Sequence, residues 1–239
     1  MKRWCIGILL AALGSSLIGT AQEIREVATH NHTWLMAFGN HRISDAVGVH
    51  TEYQFRRTGL GQDWQQSLLR IGLDGHRDER HFATAGYGWI RSFPYGDQPI
   101  AEAFDEHRIW QQLISKSSTG NFKWLHRYRL EQRYMDRATG ASWQHRTRYF
   151  VQLSWSLPKH PEWSISAYEE VFIGLRKAEQ RVDNLLQQNR ISLGLNYRFD
   201  KGTSVQFGWL LQSLWKGDGR GEQNQTLLIG LRHNLDFRP

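Results

Sequence analysis

From residue 33 onward, apolar and polar side chains alternate with a period of two. Between 47 and 56, Val47, Val49, Thr51, Tyr53 and Phe55 alternate with Gly48, His50, Glu52, Gln54 and Arg56. Such a strand has one apolar or aromatic face and one polar face, as expected at a boundary between unlike media. The dyad returns at 190–199, with Ile191, Leu193, Leu195, Tyr197 and Phe199 on one face. It returns again at 226–237, where Leu227, Ile229, Leu231, Leu235 and Phe237 are interrupted by His233. Eleven segments carry the pattern: 33–43, 46–57, 63–74, 81–92, 105–117, 121–134, 142–157, 162–176, 187–199, 203–215 and 224–237. Short connectors at 44–45, 75–80, 118–120, 158–161 and 200–202 alternate with longer ones at 58–62, 93–104, 135–141, 177–186 and 216–223. Turns short on one side and long on the other are a property of outer-membrane barrels. There is no linker, low-complexity tract or second domain.

Alternating strands fit either a soluble sandwich or lipocalin-like barrel, apolar inside, or a transmembrane barrel, apolar outside. Charge placement, strand length and the placement of aromatic residues favour the second, and once a membrane is assumed the cost of charge sets the register. Segment 121–134 sets Phe122, Trp124, His126, Tyr128, Leu130 and Tyr134 against Lys123, Arg127, Arg129, Glu131 and Arg133. Segment 142–157 sets Trp143, Tyr149, Val151, Leu153 and Trp155 against Gln144, Arg146, Arg148, Gln152 and Ser154. These two-faced runs are longer than soluble strands, which usually stop near ~5–6 residues. Aromatic residues gather near their ends, where membrane interfaces lie. Five arginines on the lipid side would cost about 2–4 kcal/mol each near the midplane, as much as an ordinary domain's whole stability of ~5–15 kcal/mol. Arg127, Arg129, Arg133, Arg146 and Arg148 are therefore expected to face the lumen.

The expected fold class is all-β: a single antiparallel transmembrane β-barrel of outer-membrane type over residues 22–239. A periplasmic C-terminus makes the first of the eleven segments run inward from the exterior. Single-chain bacterial barrels normally have an even strand count, so the pattern predicts twelve strands with a weak first one within 22–31. Ten is the alternative, if 33–43 or 81–92 is not a strand. Leu231, Leu235 and Phe237 resemble the final-strand signal read by the barrel-assembly machinery, although His233, Arg238 and Pro239 depart from it.

Composition narrows the class further. Mean hydropathy is −0.58 and the one continuous apolar run lies near residues 5–21, which excludes a polytopic helical membrane protein. Aromatic residues make up 13%, which excludes a disordered chain. Lys2 and Arg3, the apolar stretch 6–13 and Gly19-Thr20-Ala21 read as a signal peptide, residues 1–21, cleaved after Ala21. Cys5, the single cysteine, leaves with it, so no disulfide is expected. Removing Lys2 and Arg3 leaves 28 basic residues against 23 acidic ones, a charge of +5.

In combination, several stretches resemble an exported bacterial family catalogued only as a domain of unknown function. They are Trp34, Ser44-Asp45, Gly48-Val49-His50-Thr51-Glu52-Tyr53, Ala85-Gly86-Tyr87-Gly88-Trp89 and Glu106-His107-Arg108-Ile109-Trp110. His126-Arg127-Tyr128-Arg129-Leu130-Glu131-Gln132-Arg133, Glu170-Val171-Phe172-Ile173, Asn189-Arg190 and Asn234-Leu235-Asp236-Phe237 complete the set. The resemblance spans about residues 33–237. It implies an outer-membrane barrel, and it carries over no activity and no catalytic residue.

The lumen holds the chemistry. By register its charged groups are Glu52, Arg56, Arg70, Asp74, Glu106, Arg108, Arg127, Arg129, Glu131, Arg133, Arg146, Arg148, Glu170, Arg190 and Arg198. Arginine's donor fork can bridge carboxylates on neighbouring strands, so Glu52, Glu106, Glu131 and Glu170 are candidate hubs of a network that fills the barrel. The surplus of arginine over acid would alternatively focus an anion-attracting field along a narrow pore. Other patterns carry less. His30-Asn31-His32 lacks a third ligand, and no metal or cofactor is expected. His126, His145 and His233 face outward, where barrel lipid hydrolases pair His with Ser, but none has an outward Ser two residues away. Asn31-His32-Thr33 and Asn224-Gln225-Thr226 match a glycosylation pattern that has no meaning in a bacterial barrel. The 92–99 loop, with Pro94, Gly96 and Pro99, is the candidate for outside contact or for folding into the lumen.

The reading is a non-enzymatic barrel of the bacterial outer membrane, structural or forming a narrow anion-favouring pore. A lipid-processing hydrolase and a surface receptor or adhesin acting through the long loops are its alternatives. The expected partners are outer-membrane lipid, lipopolysaccharide and the assembly machinery, with no nucleic acid. The sequence does not set an oligomeric state.

Overall fold

A computed structural model describes residues 26–175, 185–216 and 219–239. The expected signal peptide, residues 22–25 and most of the 177–186 connector lie outside the described residues. Eleven strands form: β1 (Glu26–Arg42), β2 (Val47–Thr58), β3 (Asp63–His76), β4 (His81–Ser92), β5 (Phe104–Thr119), β6 (Phe122–Arg137), β7 (Gly140–Leu157), β8 (His160–Leu175), β9 (Leu186–Arg198), β10 (Thr203–Trp215) and β11 (Arg220–His233). Each pairs with its sequence neighbours, and β1 closes on β11, so the sheet is a barrel.

The closure corrects the strand count. The barrel has eleven strands, neither twelve nor ten, because β1 meets β11 in parallel, from Glu26 opposite Arg220 to Phe38 opposite Arg232. The weak strand expected within 22–31 is, from Glu26 on, the first third of a long β1. The sheet is thus mixed rather than wholly antiparallel. Parallel hydrogen bonds are slanted and slightly weaker per residue, yet they satisfy both edges, which a bilayer requires. The entry of β1 and the end of β11 consequently lie at opposite mouths. A second correction concerns 135–141, expected as a longer loop. Only Ala138 and Thr139 separate the end of β6 from Gly140, at φ +113°, which starts β7, making a tight hairpin.

Burial alternates as the charge argument requires. In β2 the even positions from Gly48 to Thr58 are buried, while Val47 and Tyr53 are exposed. Polar positions thus point to the interior, and Leu69, Ile71, Leu113, Tyr128 and Leu193 point out. Outward aromatic rings cluster at both rims, Trp163 with Tyr197 and Phe199 near the short turns, Phe55 with Trp64 and Tyr134 with Trp143 at the other end. An apolar band between aromatic girdles around a polar interior is the transmembrane barrel arrangement.

At the short-turn mouth the chain runs on past β11. Arg42 N–H donates to Leu235 O (2.8 Å) and Phe237 N–H to Arg42 O (2.9 Å), so Leu235 and Phe237 extend along β1 beyond the strand's end. At the opposite rim, a bulge between Arg56 and Arg57 leaves Gln65 without a direct opposite on β2. Its side chain turns inward and accepts from Trp34 Nε1 at 2.7 Å.

Candidate functional site

Adjacent strands lie about 4.8 Å apart and alternate residues share a face, so inward side chains of neighbouring strands can converge on one carboxylate. Glu131 on β6 is such a point. It receives Arg146 Nε at 2.6 Å, Arg148 Nη1 at 2.7 Å and Arg108 Nη1 at 3.3 Å, with Arg70 at 3.7 Å and Arg129 at 4.0 Å. These groups come from β3, β5, β6 and β7, and Glu131 has no exposed surface. Glu170 on β8 gathers Arg127 (2.7 Å), Arg148 (2.6 Å) and Arg190 (3.5 Å). Glu106 holds Arg108 at 2.6 Å and Arg133 in a two-pronged contact at 2.7 and 2.8 Å. Glu52 takes Arg70 at 2.5 Å, with Gln54 and His50 alongside. Asp74 stands apart from these hubs, bound to Thr84 and Asn40.

Arginines still outnumber carboxylates in this layer, and aromatic faces take up the excess. Arg56 lies 3.8 Å over Trp34 and donates to Gln54 and Gln66. Arg129 lies over Trp110 (4.7 Å) and donates to Gln112. Phe172 lies under Arg148, Arg146 and Arg190, and Phe150 under Arg127. A desolvated guanidinium over such a ring gains up to about 2 kcal/mol. These inward rings were not singled out from sequence, although parity marks them: Trp110 is two residues from Arg108, Phe150 two from Arg148, Phe172 two from Glu170. Room for Trp110 depends on β4. A Cβ on Gly86 would lie 2.6 Å from the Trp110 ring, so the Ala85-Gly86-Tyr87 stretch is shaped to its neighbour. On the far wall Trp34, Leu210 and Leu228 form a buried apolar cluster with Met36 and Tyr168 against it.

Of the arginines expected in the network, Arg56 reaches Glu52 only through Gln54, and Arg198 is remote from the glutamates. It sits at the short-turn mouth, where it donates to Pro161 O at 3.1 Å.

The 93–103 segment folds into the other mouth. Tyr95 packs edge-on against His30 and His32 and donates to Glu222 at 2.9 Å. Lys216 Nζ meets Gln98 Oε1 at 3.0 Å and Glu222 at 2.7 Å. Burial and the facing Glu222 carboxylate raise the Tyr95 phenol above its ordinary pKa, so it stays a donor. His30 and His32 serve as ring partners here, with Asn224 and Gln65 on their nitrogens. Tyr95→Phe should therefore loosen the strap by about 1.5–3 kcal/mol, the worth of a hydrogen bond to a charged group. Hydrogen exchange should accelerate across 94–98 and stay unchanged in β6; equal protection in both proteins would refute the strap.

On the lipid face, His126 Nδ1 lies 2.9 Å from Tyr149 OH. Ser115 is directly opposite His126, a cross-strand placement that one strand's spacing could not reveal. Along the same row Val151 intervenes before the carboxylate of Glu169, about 10 Å away by strand spacing. Glu169 instead accepts from Asn189 at 3.0 Å. His233 contacts Thr203 at 3.0 Å, and His145 stacks on Trp143. Among the described residues, no His here has both a serine and a carboxylate within reach.

A comparison with curated proteins finds no match. Among solved structures the chain is similar to outer-membrane expressed OmpT of Vibrio cholerae, at 12% identity and a TM-score of 0.40, over 80% of this chain. The match spans 61% of that protein's length. A family model described as a protein of unknown function, DUF2490, matches residues 31–224, from β1 into β11. The chain belongs to the DUF2490 family.

Proposed function

We propose that the protein is a sealed barrel of the bacterial outer membrane, a lipid-embedded shell rather than a conduit, with its short turns toward the periplasm. The supporting observation is the mid-lumen layer: Glu131 and Trp110 have no exposed surface, and Glu106 and Trp34 have almost none. An ion crossing the barrel would have to break several ion pairs at once, each buried from the surface, where Coulomb attraction is stronger than in bulk water. The arginine surplus that motivates an anion-favouring pore is taken up by carboxylates, amides and rings. A lipid hydrolase draws less support, since His126 is engaged by Tyr149 and the nearest carboxylate in its row is two strands away.

Planar lipid bilayer recording tests the proposal. The purified full-length protein should insert without producing discrete conductance steps at any moderate voltage. Reproducible anion-selective steps would restore the pore and overturn the seal.

A further inference from the structure

The seal leaves an open bay on one side. At the short-turn mouth lies a cavity of about 500 Å3, within the ~300–1,000 Å3 range of small-ligand sites. Five cations line it: Arg80, Lys116, Lys123, Arg198 and Arg232. Two acids join them, but both have partners of their own. Glu79 is held by Arg238 at 3.2 Å and Arg42 at 3.5 Å, and Glu162 lies 3.3 Å from His160. The five cations differ from the arginines gathered on Glu52, Glu106, Glu131 and Glu170 in one respect. Among the described residues none of them forms an ion pair with a carboxylate. Lys116 sits over the Phe82 ring, Arg232 over Phe38, and Arg198 donates only to a backbone carbonyl. Their positive charge therefore remains available at a wet mouth that opens to water rather than hydrocarbon.

The rest of the wall is neutral and polar. Gln152, Ser154, Ser164, Asn196, Ser204 and Gln206 line it, hydroxyls and amides that can both donate and accept. The amide N–H groups are engaged within the protein, Gln152 with Ser154, and Asn196 and Gln206 with Ser166, which leaves amide oxygens and serine hydroxyls for a ligand's hydroxyls; a bare inorganic anion would use only the cations. We propose that this bay binds a soluble sugar phosphate, its phosphate met by Lys123, Arg198 and their cationic neighbours and its hydroxyls by the serine and amide wall. Lysine and arginine are the usual phosphate partners, the first as a point charge and the second as a fork.

Titration calorimetry on the folded full-length protein in detergent tests this, with glucose 6-phosphate, glucose and inorganic phosphate as probes. Glucose 6-phosphate should bind saturably. Inorganic phosphate should bind about tenfold or more weakly and glucose without measurable heat, given the worth of charge-assisted hydrogen bonds. Raising the salt concentration should weaken binding, because the site is exposed to screening. The double variant Lys123→Gln with Arg198→Gln should lose about tenfold or more in affinity, with its fold checked by circular dichroism and gel mobility before and after heating. Ser154→Ala with Ser164→Ala, which leaves the cations in place, should weaken glucose 6-phosphate but not inorganic phosphate. Three results would each overturn the site: no saturable binding to the wild type, wild-type affinity in the double cation variant, or equal affinity for glucose 6-phosphate and inorganic phosphate. Bilayer recording reads none of these, so failure of the site and failure of the seal are separable.

Discussion

Replacing Glu131 by Gln lowers the stability of the folded barrel by about 3–5 kcal/mol, the usual effect of removing one partner from a buried ion pair. The substitution is nearly isosteric, so no cavity contributes. What it removes is the negative charge shared by Arg70, Arg108, Arg129, Arg146 and Arg148, all within 4.0 Å; Arg70, Arg108 and Arg148 keep Glu52, Glu106 and Glu170, while Arg129 and Arg146 keep no carboxylate within that distance among the described residues. The guanidiniums left around the neutral amide then repel one another in a buried interior. Urea unfolding of protein refolded into lipid vesicles, followed by tryptophan emission, gives the measurement. Glu79→Gln is the control, since that side chain is 73% exposed and exposed pairs contribute only ~0–1 kcal/mol. A Glu131→Gln protein as stable as this control would show that the network is ornamental.

The second large effect tests which medium touches which face. Leu193→Arg on β9 is expected to destabilise the barrel by about 2–4 kcal/mol in vesicles, the midplane penalty for a lipid-facing arginine. Leu193 points outward, is 57% exposed, and lies between Ala167 on β8 and Trp209 on β10, so no carboxylate stands directly opposite on either neighbouring strand. On a water-soluble barrel the same change would be an ordinary surface substitution, within ~0.5 kcal/mol. An effect that small in vesicles would remove the lipid from the account altogether.

Much of this was legible along the chain. Alternation is a local property, and a single arginine on the lipid face is costly enough to fix the phase of a whole strand. The segments around Glu52, Arg129, Arg148 and Arg190 therefore declared their inward side without any knowledge of their neighbours. The same parity would have found Trp110, Phe150 and Phe172, had the inward positions been read for rings as well as charges. Other features could not be found this way. Gln65 turns inward only because a bulge adds a residue opposite β2. Ser115 meets His126 only through the β5–β6 register. Tyr95 enters the mouth because Glu222, far away in sequence, is there to accept a hydrogen bond from its hydroxyl.

Periodicity and charge together determined a barrel with hydrocarbon outside and guanidinium inside, since each strand meets both media and the penalty for reversing them is paid residue by residue. Strand number and closure belonged to the tertiary structure. Whether β1 meets β11 in parallel depends on how all eleven strands tilt and close around the axis, a global condition that no segment encodes. Whether an arginine surplus forms a conduit or a plug depends on how many guanidiniums reach the same carboxylate. That is a matter of register between strands, which brings Arg70, Arg108, Arg146 and Arg148 together at Glu131.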